Sequence, residues 1–111
     1  MNIHDAYPSS YMNGKNTESG TSLVIREVKE ETVGKDNVTR PVLHWSDTEQ
    51  LPLVLNKTNA MTLADMFGKE TDTWRGCQVQ VNVEKVAYMG EVHDAVRLAP
   101  ALQEAEAELA F

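Results

Sequence analysis

The chain has 111 residues with 17 acidic against 10 basic side chains, a formal net charge of −7, and its length suits one small domain. Hydrophobic residues at 41% and charged residues at 24% supply a modest core and exclude the composition of a disordered chain. A single cysteine, Cys77, excludes an internal disulfide framework and a multi-thiolate zinc site, and fits a reducing cytosol.

The first 22 residues, with Tyr7-Pro8-Ser9-Ser10, Asn13-Gly14 and Ser19-Gly20 in close succession, read as a lead-in arm of turn formers. From Leu23 to Val33 the chain is first β-branched and apolar, then alternates with charge, which predicts a long first strand buried at one end. Val38 to Trp45 predicts a second strand, with Thr39, Pro41, Leu43 and Trp45 on one face and Val38, Arg40, Val42 and His44 on the other. Pro41 has no amide to donate and belongs at an edge or bulge. Leu51 to Leu55 predicts a short third strand with Leu51, Leu53 and Leu55 on one side.

A helix follows over residues 58–67. Ala60, Leu63, Ala64 and Phe67 recur at i, i+3, i+4 and i+7, Thr58 or Asn59 is placed to cap the start, and Gly68 to end it. Beyond Trp74-Arg75-Gly76, residues Cys77, Val79, Val81 and Val83 alternate with Gln78, Gln80, Asn82 and Glu84, the pattern of a half-buried strand. It runs on to Tyr88, turns at Met89-Gly90-Glu91 and returns as Val92 to Leu98, with Pro100 closing the sheet. Residues 101–111 form an acidic tail or a short terminal helix.

Three strands, one helix and two strands predict a mainly β fold. The expected architecture is a five-stranded Greek-key barrel of the OB type over residues 23–100, its one short helix lying between strands 3 and 4. Residues 1–22 and 101–111 flank it as arm and tail.

The stretch Leu53-Val54-Leu55-Asn56-Lys57-Thr58-Asn59-Ala60, then Asp72-Thr73-Trp74-Arg75-Gly76 and Asp94-Ala95-Val96-Arg97-Leu98, resembles a family of small uncharacterised phage and prophage proteins. The opening Asp5-Ala6-Tyr7-Pro8-Ser9-Ser10-Tyr11 fits the same family. The resemblance implies a phage-encoded protein of OB type from a replication or recombination region, and it brings no catalytic residues.

An OB barrel holds oligonucleotides across strands 2 and 3 by stacking bases on aromatic rings and pairing phosphates with cations. Trp45 and His44, with Arg40, Lys57, Arg75 and Arg97, are the candidate nucleic-acid residues. Trp45 serves equally well as core beside Leu43, because alternation does not say which face of strand 2 looks inward. Trp74 reads as core at an element junction. The tail residues Glu104, Glu106, Glu108 and Phe111 resemble the acidic, aromatic-ended C-termini of single-stranded-DNA-binding proteins, which recruit partner proteins. Alternatively the tail packs Leu102, Leu109 and Phe111 on the barrel. Without those three glutamates the chain is still acidic, which weighs against phosphate binding.

No catalytic chemistry is expected. His4, His44 and His93 have no zinc-ligand spacing to each other or to Cys77, His93-Asp94 has no nucleophile at hand, and no glycine-rich phosphate loop exists. No cofactor and no metal are implied. The start, Met1-Asn2-Ile3-His4-Asp5, lacks the charged and apolar regions of a leader, and no apolar run approaches the roughly 18 residues of a membrane span. The function expected is an accessory single-stranded nucleic-acid-binding protein in the cytoplasm of a bacterial host cell. The alternative is an acidic phage protein that binds a host or phage protein as inhibitor or adaptor, with homo-oligomerisation open in both cases.

Overall fold

The computed structural model describes residues 10–33 and 37–101. It contains β1 (Thr21–Val33), β2 (Val38–Trp45), β3 (Leu53–Val54), helix α1 (Lys57–Phe67), a 3-10 turn (Thr71–Trp74), β4 (Gln78–Tyr88) and β5 (Glu91–Pro100). The strands form one antiparallel sheet in the order β3-β2-β1-β4-β5.

β1 joins the two halves of this sheet. Its first residues, Thr21 to Val24, pair with β4, and from Ile25 onward it pairs with β2. Between these stretches Ile25 faces Trp45 while Glu27 faces His44, so two steps on β1 match one on β2 and Arg26 sits in a bulge. A bulge reverses the alternation that follows it. Leu23 and Ile25 are buried before it, whereas the core-facing residue after it is Val28, opposite Leu43.

β3 is shorter than the run of leucines predicts. The Pro41 carbonyl accepts the Leu55 N–H at 2.9 Å, but proline has no N–H to return the bond, so the ladder stops at the pairs Val42↔Val54 and Leu43↔Leu53. Leu53 and Leu55 are buried all the same, and Leu51 is exposed.

Helix α1 packs against β5 and the 3-10 turn. Leu63 is fully buried, with Ala60, Ala64 and Phe67 packed around the core as their spacing predicts. The cap is Asn56, not Thr58 or Asn59: its side chain accepts the Asn59 N–H at 2.8 Å. Gly68 ends the helix at φ 100° and donates its N–H to Ala64. The core under the helix joins Leu23, Ile25, Leu43, Trp45, Leu53, Leu55, Leu63, Trp74, Val79, Val81, Val96 and Leu98.

The predicted OB barrel does not form. Five strands are present, with the helix between β3 and β4, but the sheet stays open because β3 and β5 do not pair. Two features occupy the place of that closure. The Asn59 side chain donates to the Val96 carbonyl at 3.0 Å and accepts the Leu98 N–H at 3.2 Å, satisfying the outer edge of β5 as a strand would. The arm adds a second cover: Met12 donates its N–H to Pro52 at 2.8 Å, and Gly14 lies so close to Asp94 that a Cβ would stand 2.5 Å from its carbonyl oxygen. The tail beyond Ala101 lies outside the described residues, as do residues 1–9 and 34–36.

Candidate interaction surface

The residues expected to hold nucleic acid are not gathered in one place. Trp45 lies on the core face of β2 at 2% exposure, and its indole N–H donates to the Leu51 carbonyl at 3.0 Å. With both ring faces packed it has no surface on which to stack a base, so of its two readings the core one describes it. Trp74 is likewise buried, donating to the Gly68 carbonyl at 2.8 Å. His44 lies on the opposite face of β2, half-buried, with Nε2 against the Glu31 carboxylate. Arg40 is exposed and stands across from the same Glu31 in the β1–β2 register.

Lys57 is the exposed first residue of α1, and Arg75 is exposed after the 3-10 turn. Arg97 is half-buried on β5, three steps from β2 in the sheet order, with Nη1 donating to the Val96 carbonyl at 3.2 Å. Other cations on the sheet are tied to carboxylates, Arg26 and Lys29 to Glu27, and Lys85 to Asp94. The tail residues Glu104, Glu106, Glu108 and Phe111 lie outside the described residues.

A different feature emerges at the far end of the β4–β5 hairpin. Tyr88 pairs with Glu91, leaving Met89-Gly90 as a two-residue turn in which both residues have positive φ, 51° and 79°. This is the geometry of a type I′ turn, whose first central position is normally given to Asn, Asp or Gly, because a side chain without a short polar group is strained there. Met89 occupies it at 85% exposure, beside Tyr88 at 67% and Val92 at 65%.

Strand alternation spreads these groups around the tip. Tyr88 shares a face with Glu84, Val86, Glu91 and His93, and Val92 lies on the other face with Ala87. Each side of the hairpin end is therefore partly apolar, and Glu91 stands across from the tyrosine. The sequence holds one signal for this: a turn read at Met89-Gly90 whose leading residue is apolar where turn chemistry favours Asn.

Among the described residues no group of three or more His, Cys, Asp or Glu side chains is placed to hold a metal ion. Cys77 is half-buried and directs its thiol at the Thr73 carbonyl. His93 stands 3.5 Å from Glu91 on the exposed hairpin. No family model, curated protein or solved structure matches the chain.

Proposed function

We propose that the chain is a non-catalytic protein-binding module that inserts the β4–β5 hairpin tip into its partner. The observation that carries this reading is the exposed apolar group Tyr88, Met89 and Val92 on a turn whose leading residue is unsuited to it. A strained turn kept in place of an easier one marks a site where binding rather than stability is served. Nucleic-acid binding is the weaker reading, since Trp45 is packed in the core, the candidate cations Arg40, Lys57, Arg75 and Arg97 lie on separate segments, and Arg26, Lys29 and Lys85 are paired with carboxylates. In the setting implied by the phage resemblance, the partner is a phage or host protein in the bacterial cytoplasm.

Met89→Asn and Tyr88→Ser test this reading. Asparagine tolerates the left-handed turn, so Met89→Asn should stabilise the fold by about 1 kcal/mol and raise the melting temperature. A protein captured from host extract by the immobilised wild type should be lost with either variant and retained by the surface control Lys69→Ala. A labelled thymidine 30-mer should give no anisotropy change at low salt. Oligonucleotide binding at tens of micromolar protein, unaffected by the tip variants, would overturn the proposal.

A further inference from the structure

The hairpin that carries the exposed tip also carries an unpaired backbone edge. The β1–β4 ladder ends at Thr21↔Val81. Just beyond it, Gly20 donates its N–H to the Val81 carbonyl at 2.8 Å and Ser19 Oγ accepts the Val83 N–H at 2.9 Å. These two bonds show that the odd-numbered residues of β4 direct their backbone groups away from β5. The two-residue period of a strand then places the N–H and C=O of Lys85 and Ala87 on that same side. Among the described residues nothing is bonded to them, and β5 is the only strand alongside β4 there.

From this geometry we infer that the β4 edge at Lys85 and Ala87 receives an extended segment of the partner, which adds as a strand antiparallel to β4 and in line with β1. The inference rests on the protein-binding reading above and specifies the partner's chemistry. Free edges of this kind are filled by strand addition, where backbone bonds give affinity and alternate side chains give selectivity. Lys85, the type of residue that usually blunts an edge, is drawn across its strand to Asp94.

Charge and side-chain pattern define the segment further. On the outer face the incoming strand runs beside Glu84, Val86 and Tyr88, with Glu91 across from the tyrosine, in a chain of net charge −7. A segment alternating Lys or Arg with β-branched residues fits this edge: its cations all fall on the outer face, beside Glu84 and the ring of Tyr88, and its β-branched groups fall on the other face, beside Ala87. Up to four new backbone bonds form, from the two outward N–H groups and the two outward carbonyls.

The test uses the full chain and a fluorescein-labelled octapeptide of four Lys-Val repeats. Binding should slow hydrogen exchange at the Lys85 and Ala87 amides, and a Glu-Val octapeptide should bind at least about tenfold more weakly. Ala87→Pro removes an edge N–H without touching the β4–β5 ladder, because that N–H points away from β5; it should cut affinity by about tenfold or more. Absence of peptide binding, equal affinity in Ala87→Pro, or protection confined to other amides would each overturn the inference, and the exchange measurement on the wild type decides the matter even if Ala87→Pro fails to fold. Concentration-dependent self-association that occludes the same amides would assign the edge to a second copy and overturn it as well. If the native partner is lost with Met89→Asn yet retained by Ala87→Pro, the edge inference falls while the protein-binding reading stands.

Discussion

Asn59 shows how one side chain decides an edge. It is buried within a helix, where a polar group is costly unless it is bonded, and its carboxamide gives one donor and one acceptor to consecutive outward groups of β5. The sequence makes Asn59 a candidate cap, because a helix start and the polar run Asn56-Lys57-Thr58-Asn59 are visible while the neighbouring strand is not. Asn56 takes the cap and leaves Asn59 for the sheet. Asn59→Ala strands the Val96 carbonyl and the Leu98 N–H without partners, and about 2–4 kcal/mol of stability should be lost. Urea unfolding measures it; a loss of only a few tenths would show that the two groups find other partners. Trp45 teaches the same lesson from the other side. Its residue type and its strand are legible in the sequence, but the face that looks inward is set by the buried cluster it joins with Leu53, Leu63 and Trp74.

Elements were legible where a pattern is local. The alternation of Cys77 to Val83, the helical stripe of Ala60 to Phe67 and the turn at Met89-Gly90 each appear in the structure where the sequence puts them. The phase change in β1 and the brevity of β3 were not, because a bulge and a broken ladder depend on what lies across from Arg26 and Pro41. The arm is the clearest case of a segment whose role emerges only in three dimensions. Asn13 organises it by accepting the N–H groups of Lys15 and Asn16 at 2.8 and 3.0 Å, and Gly14 then passes against the Asp94 backbone. Glycine is needed there for space: any Cβ would overlap an atom that cannot swing away. Gly14→Ala should therefore lift the arm from β5. Hydrogen exchange at the Met12 amide, now bonded to Pro52, should accelerate while exchange at Val79 and Val81 in the core is unchanged. Equal Met12 protection in wild type and variant would show that the arm is held elsewhere.

At the scale of the whole molecule the question is whether a sheet joined through one strand unfolds as one unit. Barrel closure was not legible, because alternation fixes which face of a strand is apolar and says nothing of which distant strand it meets; β3 and β5 are separated by the helix and all of β4. The open sheet leaves β1 as the sole strand shared by the β2–β3 and β4–β5 halves. The core, however, does not divide along that line. Trp45 from β2 and Trp74 from the turn before β4 belong to the same buried cluster as Leu63 of the helix and Val96 of β5. Loss of either half exposes the apolar surface of the other, and small domains with one contiguous core unfold cooperatively. Trp45→Phe and Trp74→Phe each leave a single indole as reporter, and each should cost about 1–2 kcal/mol for the lost bond to a carbonyl. Within each variant the fluorescence transition should coincide with the far-ultraviolet dichroism transition in urea. If the Trp74 reporter melts after the dichroism of the β1–β2 hairpin has been lost, the two halves are separate folding units, and β1 is a hinge between them rather than the spine of one core.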